Sequence, residues 1–274
     1  MAVVRLATWN VNSVKARLPR LLEWLEQSAP DVLCLQETKL ATDAFPAEEV
    51  KALGYDTAHH GEGRWNGVAL LSRVGLDDVR RGFAGDPGWG GEPGGEEPLF
   101  EEPKLEARAV SAVCGGVRVW SVYVPNGRAP ESAHYGYKLN WLEALRVAVS
   151  QDLATGEPVA VCGDFNVAPA DSDVFDPAAF IGSTHVTKPE RDAVAALVAA
   201  GLSDIVPKPM KGPNPFTYWD YRAGMFHQDK GMRIDLALVS AAVAGAVKGA
   251  YIDREARKGK GPSDHAPVVI DFDI

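Results

Sequence analysis

The chain has 274 residues, of which 46% are hydrophobic and 24% are charged, with a formal net charge of −9. This composition is typical of a globular protein with one shared core, and no apolar run approaches the roughly 20 residues that a membrane helix needs. The first residues show no charged-then-apolar leader, and Cys34, Cys114 and Cys162 all lie in apolar runs. We therefore expect a cytoplasmic protein with buried free thiols, not a secreted protein with disulfides.

The net charge alone argues against a nucleic-acid partner, but the charge is unevenly distributed. Between Asp77 and Glu106 nine acidic residues stand against three basic ones, whereas between Val206 and Pro262 ten basic residues stand against five acidic ones. Because salt confines charge effects to roughly 8–10 Å, a polyanion responds to the nearest face of a protein more than to its total charge. The net charge therefore leaves the class of partner open.

The predicted elements are strands and helices in irregular alternation. Short apolar runs bounded by turn residues predict buried strands over Val3–Thr8, Val32–Gln36, Gly67–Ser72, Ala107–Cys114, Val117–Val124, Pro158–Cys162, Ile234–Val239 and Val268–Phe272. Helical spacing of apolar residues predicts helices over Pro19–Gln27, His134–Leu153 and Pro189–Ala200, with Pro19 in a first turn. The Gly115-Gly116 pair predicts a tight hairpin between antiparallel strands.

This order of elements favours a mixed α/β sandwich, in which sheets are covered by helices, over a regular Rossmann or barrel repeat. No linker or internal repeat divides the sequence, so we expect a single domain over residues 1–274. The stretch 82–103 is rich in Gly, Glu and Pro, which predicts a mobile surface loop.

Polar side chains lie at the ends of five predicted strands. They are Asn10 and Asn12 in Thr-Trp-Asn-Val-Asn, Glu37 in Leu-Gln-Glu-Thr-Lys, Asp164 and Asn166 in Gly-Asp-Phe-Asn, Asp235 in Arg-Ile-Asp-Leu, and Ser263, Asp264 and His265 before the last strand. A carboxylate or amide at the mouth of a buried strand is held rigidly and can converge with others on one cleft. The sequence therefore predicts a shared polar site at one edge of the sandwich.

Each of these residues also has a simpler interpretation. An Asn or Asp after a strand is usually an Asx turn, Glu37 could form a salt bridge with Lys39 or cap a helix, and a His beside an Asp could be a satisfied pair. Five such clusters in one chain make coincidence a poor explanation. Together they offer hard oxygen ligands for Mg²⁺ or Mn²⁺, one imidazole, and no set of thiols or histidines for zinc. That inventory suits phosphoryl chemistry.

The same stretches resemble the exonuclease III family of class II AP endonucleases, within the wider endonuclease/exonuclease/phosphatase superfamily. They match from first strand to last: TWNVNSVKAR (8–17), DVLCLQETK (31–39), NGVALLS (66–72), VYVPNG (122–127), GDFNVAP (163–169), TYWDYR (217–222), RIDLAL (233–238) and PSDHAPV (262–268). LQETK, GDFN and SDH are shared across the superfamily, whereas YVPNG and the TYWDYR and MRIDL pair indicate its DNA-repair branch. The resemblance implies a four-layer α/β sandwich, with two packed mixed β-sheets flanked by helices.

The resemblance also implies a metal site. Glu37 would hold one divalent cation, Mg²⁺ or Mn²⁺, with help from Asn10 and Asp264. Asp164 and Asn166 could bind a second ion, so one metal and two metals both stay open at this point.

Catalytic roles follow from the same resemblance. Asp164 would activate or orient the attacking water, and Asn166 would hold a phosphate oxygen. His265, oriented by Asp235, would contact the scissile phosphate as an electrostatic stabiliser or as a base. Tyr123 would hydrogen-bond the phosphate or assist the leaving group. Either Asp164 or His265 could be the general base.

Part of the implied DNA-binding surface is a pocket for a base-less sugar. Tyr218, Met232 and Ile234 match positions that line such a pocket in the family, although an ordinary place in the core is an equal alternative. Trp219 belongs to the same aromatic run. Arg222 matches a position that reaches into the duplex, and a solvated arginine is its alternative.

The rest of that surface would face the phosphate backbone. Asn126 and Arg128 follow the predicted strand that ends near Val124, and Asn12 follows the first strand. Lys258 and Lys260 form a basic run that could equally be a solvated loop.

The leading hypothesis is a DNA-repair phosphodiesterase, an AP endonuclease that incises 5′ to abasic sites and also removes blocked 3′ ends. A 3′→5′ exonuclease activity on duplex DNA would use the same site. We expect a monomer in a bacterial-type cytoplasm, at work on the nucleoid. The alternatives are a same-fold phosphoesterase acting on an inositol phosphate or a sphingolipid head group, and a catalytically dead DNA-binding scaffold. The acidic 82–103 stretch and the negative net charge are departures from what the resemblance implies.

Overall fold

The computed structural model describes residues 3–91, 102–209 and 212–273. In chain order its strands are β1 (Val3–Asn10), β2 (Val32–Gln36), β3 (Asp56–His60), β4 (Val68–Ser72), β5 (Asp77–Arg81), β6 (Ala109–Cys114), β7 (Val117–Tyr123), β8 (Val159–Asp164), β9 (Leu202–Asp204), β10 (Asp235–Ser240), β11 (Val247–Ile252) and β12 (Val268–Asp273). The α-helices are α1 (Val14–Ser28), α2 (Ala47–Lys51), α3 (Ala133–Leu153), α4 (Lys188–Ala199) and α5 (Ala241–Ala246).

The strands form two six-stranded sheets. The first has the order β11-β12-β1-β2-β4-β3 and the second the order β5-β6-β7-β8-β10-β9. Strands β1 and β2 are parallel, as are β7 and β8, whereas the other neighbours are antiparallel. The Gly115-Gly116 hairpin is confirmed, because both residues have positive φ and Cys114 pairs with Val117. The predicted mixed sheets are therefore present.

Apolar side chains divide the molecule into four layers. Leu6 and Leu70 of the first sheet pack in one cluster with Val119 of the second, so the sheets face each other. On the outer face of the first sheet, Trp24 and Leu25 of α1 belong to a second cluster; on the outer face of the second sheet, α3 and α4 supply a third. This is the predicted four-layer α/β sandwich.

The four strands that the sequence did not predict are the four sheet edges. They are β3 and β11 in the first sheet and β5 and β9 in the second. Strand β5 reads Asp-Asp-Val-Arg-Arg and exposes four of its five residues. An edge strand is not covered on both faces and carries charged residues that limit pairing with other chains, so its sequence lacks an apolar run.

Helix α1 begins five residues before the predicted start. Ser13 caps it by accepting from the Ala16 amide at 3.4 Å, which places Pro19 inside the helix and not in its first turn. Pro19 removes the hydrogen bond to the Lys15 carbonyl, but both residues are exposed, so water can replace it. The prediction was wrong because the loop before α1 is fixed by backbone bonds to the segment after β2.

The predicted 82–103 loop is only partly described, since residues 92–101 lie outside the described residues. In the flank, Trp89 is buried and exchanges two backbone hydrogen bonds with Lys104, at 2.7 and 2.9 Å. This flank is therefore packed against the second sheet, and the mobility of the remainder stays a prediction. Across the described ranges, no helix is long and apolar enough to span a bilayer.

Candidate active site

The first sheet places Asn10 and Glu37 side by side, because β1 and β2 are parallel and both end at the same edge. The amides of Val11 and Ser13 donate to the carbonyls of Gln36 and Glu37 at 3.1 and 2.7 Å, which fixes the two loops together. The Asn10 side chain then donates from Nδ2 to Glu37 Oε1 at 2.7 Å. Glu37 has a φ of 52°, in the left-handed region that is uncommon for residues other than glycine.

The second sheet contributes Tyr123, Asp164 and Asp235 at the same edge. Tyr123 pairs with Asp164 across the parallel β7 and β8, and Asp235 pairs with Asp164 across the antiparallel β8 and β10. Burial and the nearby carboxylate of Glu37 raise the pKa of Tyr123, so its hydroxyl keeps its proton. One phenol and two carboxylates therefore lie next to one another on adjacent strands.

Two contacts join the contributions of the sheets. Asn10 Nδ2 donates to Asp164 Oδ2 at 2.9 Å, so one amide nitrogen bridges two carboxylates. His265, which precedes β12 of the first sheet, has Nδ1 2.8 Å from Asp235 Oδ2 and Nε2 3.8 Å from Asp164 Oδ2. The predicted cluster is therefore assembled across the gap between the sheets, and all of its members named here are at most partly exposed.

The charges in this cluster are strongly coupled. Burial lowers the pKa of His265, but the carboxylates of Asp235, Asp164 and Asp264 outweigh it and raise the pKa to about 10. Burial raises the pKa of Asp164 to about 7, with the carboxylates of Asp235 and Glu37 acting in the same direction. Both shifts favour the form that carries a proton, so His265 is an imidazolium and Asp164 takes up a proton more readily than an ordinary carboxylate.

Lys39 completes the surroundings of Glu37. Its Nζ lies 2.8 Å from Glu37 Oε2 and donates to Asn12 Oδ1 at 2.6 Å. Burial alone would raise the pKa of Glu37, but the charge of Lys39 and the Asn10 hydrogen bond lower it. The salt bridge considered from the sequence is present, and it is compatible with the polar site because it keeps Glu37 ionised.

Glu37, Asp164 and His265 each place a possible ligand atom within 4.8 Å of the others. Asp235 contacts Nδ1 of His265, which leaves Nε2 as the ring nitrogen that faces Asp164. The two carboxylates are hard oxygen donors, and their ligand atoms lie close enough together to share one ion. These residues therefore fit a hard divalent cation such as Mg²⁺ or Mn²⁺.

Two of the predicted metal ligands, Asn10 and Asp264, lie outside the group formed by Glu37, Asp164 and His265. Asn10 Oδ1 accepts from the Asn12 amide at 3.0 Å, so Asn10 turns its nitrogen and not its oxygen toward the carboxylates. In this structure Asn10 bridges Glu37 and Asp164, and its role as a metal ligand stays a prediction. Asp264 Oδ1 accepts from Asn12 Nδ2 at 3.1 Å and lies outside the three-residue group, so its ligand role stays a prediction.

Asn166 lies at the rim of the site in a tightly fixed loop. Its amide donates to Asp164 Oδ1 at 2.9 Å, and its side chain donates from Nδ2 to the Val124 carbonyl at 3.0 Å. Asn126 Nδ2 donates in turn to Asn166 Oδ1 at 3.2 Å. The two predicted phosphate-facing amides, Asn126 and Asn166, are therefore in direct contact.

A cavity of about 530 Å³ opens beside this rim. Arg128, His185, Tyr218, Arg222 and Met232 are among its lining residues. The Tyr218 ring lies 4.9 Å from the His265 ring, so the cavity adjoins the catalytic cluster directly. The predicted pocket residues Tyr218 and Met232 and the predicted DNA contacts Arg128 and Arg222 therefore converge here.

Two predicted DNA-binding residues are buried instead. The Trp219 side chain is 0% exposed and packs with Phe216 and Val268, because it forms the floor of the loop that carries Arg222. Its prediction as a DNA contact is wrong. Ile234 is also in the core, in one cluster with Met232, so it supports the cavity from below.

The basic run is at the surface. Lys258 and Lys260 are exposed, and their carbonyls accept from the Arg20 guanidinium at 2.6 and 3.1 Å. Lys258 Nζ also lies 2.6 Å from Glu255 Oε1, so only part of its charge is available to a polyanion. A role of this run in DNA binding stays a prediction.

Sequence reasoning missed three residues next to the site. Lys138 and His185 both donate to the Asn166 carbonyl, at 2.7 and 2.6 Å, and Thr217 Oγ1 accepts from the Asp235 amide at 3.1 Å. Thr217 stands in the quoted TYWDYR stretch, which was the available signal. Lys138 lies in a helix and His185 in a loop, so neither follows a strand end.

The site thus combines Glu37 and Asp164 with the Asp235 and His265 pair. These residues occur in one order along the chain, and that order is a property of known protein families. The sequence profile of the Endonuclease/Exonuclease/phosphatase family matches residues 7–265. The chain belongs to this family. Nucleases of the Endonuclease/Exonuclease/phosphatase family depend on divalent metal ions, which agrees with the carboxylate pair described above.

Relatives within the Endonuclease/Exonuclease/phosphatase family match over the full length. The chain is 30% identical to the exodeoxyribonuclease III of Haemophilus influenzae over 98% of this chain and 100% of that protein. It is 37% identical to a 3′-5′ exonuclease from Neisseria meningitidis, with a TM-score of 0.89 over 99% and 100% of the two chains. An AP endonuclease from Archaeoglobus fulgidus has 32% identity and a TM-score of 0.88 over 99% and 100%.

Proposed function

We propose that this protein is a metal-dependent DNA-repair nuclease that incises duplex DNA 5′ to abasic sites and removes groups that block 3′ ends. Removal of 3′-terminal nucleotides would use the same chemistry. The observation that carries the proposal is the buried His265 and Asp235 pair facing Asp164, 3.8 Å from Nε2 to Oδ2, beside Glu37. At this separation the imidazolium can stabilise negative charge on the phosphate oxygens while the carboxylate accepts a proton from the attacking water.

His265 supplies positive charge to the phosphate. Asp235 holds the ring by Nδ1 and stabilises its protonated form, so the Nε2 proton points away from Asp235 and toward the cleft. The negative charge that accumulates on the phosphate oxygens during attack would be stabilised there. Asn166 and Asn126 present amide groups at the same rim and would hold another phosphate oxygen.

Asp164 is the acceptor for the proton of the attacking water. The water oxygen forms a bond to phosphorus and the water proton passes to Asp164, while the bond from phosphorus to the 3′ oxygen breaks. The leaving 3′ oxygen would take a proton, for which the protonated Tyr123 hydroxyl is the predicted donor. We assign the role of base to Asp164 and not to His265, because Asp235 contacts Nδ1 and stabilises the protonated form of the His265 ring. A divalent cation on Glu37 and Asp164 would neutralise phosphate charge and lower the pKa of bound water.

The substrate is assigned from the cavity beside the cluster. Tyr218 and Met232 offer an apolar wall and Arg128 offers positive charge, which suits a deoxyribose with its phosphates. Arg222 is paired with Asp220 of the same lining, so only part of its charge is available to a phosphate. A nucleotide that has lost its base, or one at a 3′ end, can leave the duplex at little unstacking cost. The proposal for these two substrates is also supported by relatives that are named as an AP endonuclease and a 3′-5′ exonuclease.

The proposal is tested with three duplexes, which contain an internal tetrahydrofuran abasic analogue, a 3′-phosphate at a nick, or an undamaged recessed 3′ end. Each is incubated with Mg²⁺, with Mn²⁺ or with EDTA, and the DNA products are separated by size. The molecular mass of the purified protein in solution is measured separately and gives its oligomeric state. Asp164→Asn is the inactive variant, and Asp171→Asn, an exposed aspartate paired with Arg191, is its matched control. We expect metal-dependent cleavage of the first two duplexes by a monomer.

The outcomes separate the parts of the proposal. No cleavage of any duplex with either metal would refute the nuclease. Cleavage of the 3′-phosphate and the recessed end without incision at the abasic analogue would refute only the abasic substrate. Equal activity of Asp164→Asn and Asp171→Asn would remove Asp164 from the mechanism.

A further inference from the structure

Lys138 is a buried amine that contacts no predicted catalytic carboxylate. It lies in α3, its side chain is 0% exposed, and Nζ donates to the carbonyls of Asn166 and Asn126 at 2.7 and 3.1 Å. Nζ also lies 2.5 Å from Glu190 Oε1 and 3.4 Å from Thr184 Oγ1. One ammonium group therefore ties together the two loops that follow β7 and β8.

Glu190 balances this charge and is itself fully engaged. Its Oε1 accepts from Thr184 Oγ1 at 2.6 Å and from the His185 amide at 2.9 Å, in addition to Lys138. Its Oε2 accepts from the amide and the hydroxyl of Thr187, which caps α4. The side chain is 0% exposed, so no part of this carboxylate is available to substrate or solvent.

The convergence point of these contacts is the Asn166 backbone. Asn166 has a φ of 51°, which lies in the left-handed region. Asparagine tolerates this conformation, but the surrounding contacts have to stabilise it. Its carbonyl accepts from Lys138 and from His185 Nδ1, while its amide donates to Asp164 Oδ1. The direction of the Asn166 side chain, and with it the contact to Asn126, depends on this backbone conformation.

A net gain in stability does not explain why Lys138 and Glu190 form a buried ion pair. Removing two charges from water costs about as much as their attraction returns, and apolar replacements of a buried pair are often neutral or stabilising. A pair at the back of a catalytic loop, however, can fix positions that an apolar pair cannot.

We propose that Lys138, neutralised by Glu190, is a positioning residue that holds the carbonyls of Asn166 and Asn126 and so keeps their side-chain amides in place for the phosphate. This inference rests on the proposed function, because it assigns those amides to phosphate binding. It goes further, since it attributes part of the turnover to an ion pair that touches neither substrate nor metal.

The test compares Lys138→Met, Glu190→Gln and the double variant, which replaces the charged pair by an uncharged one of similar size. The Gln side chain can still accept from Thr184 and His185. Arg5→Met is the control, because the Arg5 and Asp271 pair lies on β1 and β12 and contacts none of the site residues described. Urea unfolding gives stability, and kcat, KM and the Mg²⁺ midpoint are measured on whichever duplex the wild-type protein cleaves.

We expect the double variant to regain most of the stability that Lys138→Met loses, while kcat stays about 10- to 100-fold below wild type. KM should change by less than about threefold and the Mg²⁺ midpoint should not move, because Lys138 does not contact Glu37. Arg5→Met should lose stability with an unchanged kcat.

Recovery of kcat in parallel with stability in the double variant would overturn the proposal and leave the pair with a structural role only. A near-normal kcat in Lys138→Met would do the same. If Lys138→Met is too unstable to assay, the double variant and Glu190→Gln carry the comparison. Failure of the proposed function would instead appear as an inactive wild-type protein, so the two failures are distinguishable.

Discussion

Acid should destabilise this protein through His59, which lies on β3 under the loop that carries Glu37. The ring is 4% exposed and packs 4.8 Å from the Phe45 ring. Nε2 lies 2.8 Å from Thr38 Oγ1 and Nδ1 lies 3.2 Å from the Thr42 carbonyl. Burial lowers the pKa of His59 to about 4, although the Thr42 carbonyl opposes the shift.

The magnitude follows from the difference between the folded and unfolded pKa values. An unfolded chain takes up a proton at His59 below the ordinary pKa of 6.5, whereas the folded chain does so only below about 4. The stabilisation is therefore fully present above pH 6.5 and is lost as the pH falls from 6.5 to 4. The full loss is about 3 kcal/mol, of which about 2 kcal/mol has occurred at pH 5.

The assay is urea unfolding at pH 8 and pH 5, in EDTA, for the wild type, His59→Gln and the control His227→Gln at an exposed histidine. Other groups also change the stability of the wild type between these pH values: His185, whose pKa burial lowers to about 4, adds to the loss, whereas the raised pKa values of His265 and Asp164 oppose it. The contribution of His59 is the difference between proteins in the free energy of unfolding that each loses from pH 8 to pH 5. Wild type and His227→Gln should each lose about 2 kcal/mol more than His59→Gln. Equal losses in all three proteins would refute the reasoning.

Three further predictions concern the site and its support. Asp164→Asn and His265→Asn should each lower kcat by about 100-fold or more in steady-state cleavage, and near-normal turnover would remove that residue from the mechanism. Glu37→Gln should raise the Mg²⁺ concentration needed for half-maximal activity; an unchanged metal titration would argue against Glu37 as a ligand. Arg233→Met should reduce the free energy of unfolding by about 3–5 kcal/mol, because it leaves Asp173 and Asp204 without their buried partner. A loss below about 1 kcal/mol in urea unfolding would show that water or a rearrangement replaces the guanidinium.

Interior strands could be predicted from the sequence and edge strands could not. β2 and β8 are buried along their whole length and are apolar up to their last residues, Gln36 and Asp164, so their sequences carry the signal. β5 is held by pairing with β6 through its backbone, to which side-chain identity contributes little. The start of α1 was missed for a related reason, since backbone bonds to the loop after β2 decide it.

The site shows the same division. Glu37, Asp164 and His265 were predictable as a group, because several polar residues next to the ends of buried strands can converge on one cleft although each of them alone has a simpler interpretation. Lys138 was not, since a lysine in a helix is ordinarily solvated and only the tertiary structure places Glu190 opposite it. Trp219 was assigned wrongly because its neighbours in the same short run face the cavity, and sequence spacing does not reveal which of them turns inward.

The contacts of Asn10 with Asp164 and of His265 with Asp235 both cross from one sheet to the other. Neither sheet by itself contains both the carboxylate that suits the metal and the charge pair that would act on the phosphate. Cleavage activity is therefore a direct measure of how the two sheets are docked, to within the length of a hydrogen bond. A partly folded chain with only one sheet formed would carry no nuclease activity, so the enzyme becomes capable of cutting DNA only when its folding is complete.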